Sequence, residues 1–277
     1  MAITAAQVKE LREATNVSMM ECKKALVETD GNLKEAMKIL RERGMSIAAK
    51  RAEKAANQGL IATASTEDGK TISLVEVNSE TDFVARNDDF KAFVAKAAQK
   101  ALEADTPLSE VMGDELMDRI AAIGENLKLR RNVRYQLSGP GKVASYIHMG
   151  GKIGVLVEVG CEKEESADSE VFNELVSDLT LHIAAAAPPY LTSDEIPADV
   201  IEEERKIFEK QVEGKPENII SKIVDGKMNK YFAETCLVNQ GFVKEPKQSI
   251  TQLLQEKGKE VGDTFTIKRF TRYQLGA

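Results

Sequence analysis

Two kinds of residue in this sequence could do chemistry, and each faces a physical test. The stretch Ala64–Thr71, ASTEDGKT, has the spacing of a phosphate-binding loop. Such a loop works because its backbone amides and the N-terminus of a following helix surround the phosphates. Here ISLVEVN follows and reads as a strand, so the stretch is expected to be a plain hairpin turn. The other candidates are the only two histidines, His148 and His182. His182 lies in the apolar run TLHIAAAA and reads as a packed core residue. His148 ends a strand beside Gly150 and Gly151, with no Ser, Cys or Asp spaced for a triad.

Cys22, Cys161 and Cys236 are far apart and form no CxxC pair, which points to a reducing compartment and away from a cysteine zinc site. The acidic side chains read as solvated helix faces, not as metal ligands. The expectation is a protein without covalent chemistry, cofactor or metal, and therefore not an enzyme.

The elements that position these residues support a binding role. A chain of 277 residues implies two or three domains or subdomains. The net charge is -7, the wrong sign for a general nucleic-acid binder. A basic cluster at Lys128, Arg130, Arg131 and Arg134 reads as a solvated or salt-bridged face. No signal peptide and no apolar run long enough for a membrane span are found, so the location is expected to be cytoplasmic.

The first 44 residues read as three short helices. Each opens on a capping pair: Thr4 with Gln7, Ser18 with Glu21, Asn32 with Glu35. The third is expected to end at Gly44, and residues 45–57 to form a helical or semi-flexible linker. Next comes an internal repeat. GKTISLVEVN, from Gly69 to Asn78, matches GKIGVLVEVG, from Gly151 to Gly160, and the same offset maps Phe90 onto Phe172 and Val94 onto Val176. Each copy reads as a β-hairpin followed by a helix packed on one face. The stretch 194–240 holds two helical patterns broken at Gly214, Lys215 and Pro216, a helical hairpin. DTFTIKRFTRYQL reads as a strand returning to the second sheet. The fold class is α+β: a three-helix domain with its linker (1–55), a first core subdomain (56–139), and a second (140–277) carrying the hairpin insertion at about 194–240.

Comparing the copies isolates what is specialised. Thr81, Asp82 and Phe83 in NSETDFVARNDDF have no counterpart in GCEKEESADSEVF. On spacing alone Phe83 reads as tucked against its own hairpin; the alternative is a wedge entering another protein, with Asp82 placing a charge beside it. Met19 and Met20 are adjacent, so one can pack inward while the other faces a partner.

LREATNVSMMECKKAL, TDFVARNDDF, IGENLKLRR and SYIH with GKIGVLVEV resemble, in order, the signatures of the elongation factor Ts family. That resemblance implies a guanine-nucleotide exchange factor whose partner is elongation factor Tu. It implies an N-terminal domain similar to the ubiquitin-associated (UBA-like) fold, docking through Arg12, Met19, Met20 and Lys23. It also implies working contacts at Thr81, Asp82, Phe83, Ile123, Gly124 and His148. No nucleotide, nucleic acid or membrane is then bound by the chain itself, and a homodimer is left open. The rival readings are a general protein-binding adaptor and a nucleotide-binding enzyme using ASTEDGKT.

Overall fold

The computed structural model describes residues 3–15, 17–212, 214 and 216–277. Asn16 of the first motif and Lys215 of the hairpin break lie outside the described residues.

Three helices come first: α1 (Ala5–Thr15), α2 (Met19–Glu28) and α3 (Leu33–Arg51). The expected caps start them. Gln7 N–H bonds Thr4 Oγ1 and Thr4 N–H bonds Gln7 Oε1, while Ser18 and Asn32 accept from Glu21 N–H and Glu35 N–H. Val8, Leu11, Cys22, Ala25, Leu26, Ala36 and Leu40 form a small core of their own.

Helix α3 does not stop at Gly44; it runs on to Arg51. The reason is tertiary. A Cβ at Gly44 would lie 2.4 Å from the Ala121 Cβ, so glycine lets α3 cross very close to a later helix. That contact outweighs the weak helix propensity of glycine.

The rest of the described chain runs β1 (Gln58–Ser65), β2 (Thr71–Ser79), α4 (Asp82–Arg86), α5 (Asp88–Ala101), α6 (Leu108–Val111), α7 (Gly113–Ile123), β3 (Lys128–Gln136), β4 (Gly141–His148), β5 (Ile153–Gly160), α8 (Glu164–Ala167), α9 (Glu170–Ala186), α10 (Ala198–Gln211), α11 (Glu217–Thr235), β6 (Gly241–Phe242), β7 (Glu245–Ser249), α12 (Ile250–Val261) and β8 (Thr266–Gln274). The sheets are antiparallel, with strand orders β1-β2-β3, β4-β5-β8 and β6-β7. Each repeat therefore holds a three-stranded sheet: β8 returns to the second one as expected, while the first, expected as a hairpin alone, gains β3. The basic cluster is the third strand of the first one.

The central strands β2 and β5 are buried on both faces. Val75 and Val77 face α5 through Phe90, Phe93 and Val94; Val155, Val157 and Val159 face α9 through Phe172, Val176 and Leu179. The alternate residues, Ile72 and Leu74 in one sheet and Leu156 in the other, meet face to face. The layers are thus helix, sheet, sheet, helix. Gly154 makes the sheets' approach possible, since a Cβ there would sit 2.5 Å from Ile61 Cγ2 and 2.7 Å from Leu74 Cδ1. Helices α10 and α11 pack on each other around Val212, Val224 and Met228.

Between the sheets lie two buried carboxylates at matching positions of the repeat, Glu76 and Glu158. Each third strand has a bulge at the pairing of its glutamate: Glu76 pairs with Arg131 but Val77 with Leu129, and Glu158 with Arg269 but Val159 with Ile267. A bulge cancels the normal alternation of faces, so consecutive cations reach one carboxylate. Arg130 and Arg131 bond the two Glu76 oxygens at 3.0 and 2.7 Å. Arg269 bonds Glu158 at 2.7 Å and Lys268 stands 3.7 Å away. Asn78, on the same strand, donates a further bond to Glu76 at 3.0 Å, and the other repeat supplies the rest. Gly276 N–H donates to Glu76, and Ser138 N–H and Oγ–H donate to Glu158. The Arg131 guanidinium covers the Tyr273 ring at 4.2 Å, and Arg269 covers Tyr135 at 4.1 Å.

Burial alone pushes the Glu76 carboxyl upward, but the Gly276 amide, Asn78 and Arg131 together hold it below its ordinary value. For Glu158, burial is likewise outweighed by Ser138 and Arg269. Groups whose pKa is depressed by folding contribute fully above the unfolded value, about 4.3, and that contribution is lost as pH falls through the folded value. Glu76→Gln is expected to cost about 3 kcal/mol at neutral pH by stranding its cations. Denaturant titrations repeated from about pH 7 to pH 3 should show the variant losing less with acid than the parent; parallel curves would refute the assignment.

Candidate functional site

The TDF segment is the junction between β2 and α4. Thr81 caps α4, its Oγ1 accepting from Val84 N–H at 3.4 Å. Both Glu125 oxygens hold the same residue: Thr81 N–H donates at 3.0 Å and its hydroxyl at 2.7 Å. One residue back, Glu80 accepts from Arg51 at 2.8 Å and from Asn126 N–H at 2.6 Å. The Asn126 amide, with Arg51, holds the Glu80 carboxyl below its ordinary range against the opposing effect of burial. The buried Asn126 donates its side-chain N–H to Lys54 O at 2.8 Å. Gly124 ends α7 at φ 79°, the left-handed conformation that turns Glu125 and Asn126 back onto the junction.

Phe83 is therefore fixed at its base and open at its tip. It is 79% exposed, while Ala85 on the same short helix is buried. The expectation that Phe83 tucks against its own hairpin is corrected: α4 turns Ala85 and Val84 toward the core and Phe83 away from it. Asp82 is not a free carboxylate but pairs with Arg86 at 2.8 Å, one helical turn on. Phe83 and Ile123 line a shallow cleft of about 380 Å³ with Asn87 and Arg119.

The structure thus gathers Thr81, Asp82, Phe83, Ile123 and Gly124 in one place. Glu80, Glu125 and Asn126 were missed by sequence reasoning, although an acid and an amide directly after a helix-ending glycine were the available signal. His148 stands at the end of β4, exposed, with Nδ1 2.9 Å from the Tyr146 hydroxyl. Arg12 on α1 and Met19, Met20 and Lys23 on α2 are all exposed, away from the TDF junction in the sequence. Neither methionine packs inward: Met19 is 43% and Met20 64% exposed, because Cys22, Ala25 and Leu26 fill that core.

The chemical candidates are structurally occupied. ASTEDGKT is a β1–β2 turn closed by Asp68, which accepts from Thr66 Oγ1–H and Lys70 N–H, and a strand follows it. His182 is fully buried, its Nδ1 accepting from Val243 N–H and its Nε2 at 3.0 Å from Gln240 Oε1. Burial lowers its pKa despite Gln240. Arg134 pairs with Asp105 and caps Leu102 O. Among the described residues no cluster of His, Cys, Asp and Glu could hold a metal, and no helix is long and apolar enough to cross a membrane.

The clamp predicts local, not global, sensitivity. Thr81→Val removes the cap and one Glu125 bond, a loss of about 1 kcal/mol. Hydrogen exchange at the Val84 amide should speed up about fivefold, with Phe90 and Val94 amides unchanged. Unaltered exchange at Val84 would show that the clamp does not hold the turn.

Comparison with known proteins places this geometry in a family. The sequence model described as Elongation factor TS matches residues 80–277. The chain is 48% identical to Elongation factor Ts of a Nitratiruptor species over 288 residues, covering 100% of this chain and 94% of that one. It is 43% identical to Elongation factor Ts of Trichlorobacter lovleyi (100% and 93% covered) and 44% identical to that of Clostridium botulinum strain Alaska E43 (99% and 93% covered). With the repeat, the junction and the matching residues in one continuous framework, the chain belongs to the elongation factor Ts family of translation elongation factors.

Proposed function

We propose that this chain is a guanine-nucleotide exchange factor that grips elongation factor Tu and promotes GDP release in the cytoplasm. The observation that carries the reading is a 79%-exposed Phe83 on a turn clamped by Glu125 and Glu80, in a member of this family. An exposed aromatic on a rigid base keeps its hydrophobic driving force for a partner.

In this reading residues 1–55 form a UBA-like docking module, with Arg12, Met19, Met20 and Lys23 on the nucleotide-binding domain of the partner. Residues 56–139 present the wedge, supported by Ile123 and Gly124. Residues 140–277, with His148, hold a further part of the partner. Phe83 enters between helices of the partner and shifts the elements that position its Mg²⁺. Asp82, released from Arg86, disturbs the shell of that ion by repulsion and competing hydrogen bonds. No bond is made or broken.

Linkage sets the scale. Weakening GDP by ten-thousandfold needs about 5.5 kcal/mol of coupling, and GDP weakens the factor by the same ratio. Burying one Phe supplies about 1.5–3 kcal/mol. The wedge must therefore share the work with the wider grip. Release of a fluorescent GDP analogue from elongation factor Tu should accelerate with this protein and fall about 10- to 100-fold with Phe83→Ala, without vanishing. Total loss with binding unchanged would contradict the sharing. No acceleration by the folded parent would sink the exchange reading and leave a protein-binding adaptor.

A further inference from the structure

The turn between β4 and β5 holds an anomaly. Met149 is 62% exposed and adopts φ 51°, a backbone region that side chains other than glycine avoid. Burial does not explain the conformation, since the residue is mostly exposed. Two glycines, Gly150 and Gly151, follow at once, so the turn has glycines available and nevertheless presents a large apolar side chain at its tip. Strain that the surrounding fold sustains without a packing return points to function.

The turn is also held in a fixed place. Ile61 N–H, on the outer edge of β1, donates to Gly151 O at 2.8 Å. Gly151 takes φ 96°, and a Cβ there would lie 3.1 Å from the Ile61 carbonyl oxygen, so glycine suits that approach. The tip of the second repeat is thereby pinned to the first repeat, beside the TDF junction. Met149 and Phe83 line one cleft of about 690 Å³, together with Asp82, Arg86 and Lys152. Glu80 and Asp82 already carry their own cations, Arg51 and Arg86. Lys152 makes no ion pair among the described residues.

We infer that Met149 is a second apolar contact to the same partner surface that receives Phe83: an apolar helical surface bordered by an acidic group that faces Lys152. The inference rests on the exchange-factor reading for the identity of the partner. Its occupant follows from continuity, because a surface that takes in Phe83 meets the opposite rim of the cleft. The two residues divide the work. Phe83 is the wedge, whereas Met149 adds grip that is equal in every state of the nucleotide site, and so acts on affinity and not on the limiting rate.

Met149→Gly tests this without harming the fold, since glycine accepts φ 51° freely. Calorimetric titration of nucleotide-free elongation factor Tu should give a Kd raised about tenfold, with Met149→Leu close to the parent. Nucleotide release at saturating variant should stay within about twofold of the parent, and the melting temperature should not fall. A Met149→Gly Kd equal to the parent's overturns the inference even if exchange is intact. Parent binding without accelerated exchange sinks the exchange reading alone, because the Kd comparison still decides on Met149. Absence of parent binding overturns both.

Discussion

Two carboxylates between two sheets govern the architecture. A glutamate with almost no exposed surface needs compensation from several donors, and Glu76 and Glu158 find it in one way. A bulge in the neighbouring strand delivers two consecutive cations, and the segment after the other repeat's third strand delivers an amide. Because each glutamate is completed by residues from both repeats, the two sheets are held in one relative position. Each arginine then covers a tyrosine of the opposite repeat, and Tyr135 and Thr271 join by a 2.8 Å hydrogen bond. A hydrophobic sandwich alone tolerates sliding; a pair of directional ionic sites does not.

That fixed relation makes a composite binding surface possible. The TDF junction belongs to the first repeat and the Met149 turn to the second, yet both rim one cleft. Helix α3 ties the N-terminal helices to the same frame, through Gly44 against α7, Arg41 against Asp114 and Arg51 against Glu80. The wedge role proposed for Phe83 requires a base that does not yield to a partner. Here the base is bonded to α7's end, to α3 and, through β2, to the sandwich.

Much of this was legible in residue types. The Gly-Lys repeat exposed the duplication because its buried valines and glutamate recur at a constant offset. The caps placed the first three helices. The second half of the repeat, LRRNVRYQL against IKRFTRYQL, escaped because the segment containing α9 to α12 widens the spacing, and its basic residues look like a solvated face. The partners that bury their charge are far away in sequence. Gly44 misled because its role is a contact with Ala121, invisible to local propensity. The exposure of Phe83 was undecidable from its neighbours, since Glu125 sets the orientation of the turn.

The reciprocal completion of the glutamates also bears on how the chain is made. While the polypeptide emerges from the ribosome, Glu76 and its arginines are present early, but Tyr273 and Gly276 are synthesised far later. Until then the first repeat carries a carboxylate-arginine cluster facing water and an uncovered inner face of its sheet. The first repeat must therefore wait with Ile72, Leu74 and Tyr135 uncovered, and its buried charge site is completed only when the end of the second repeat has been made.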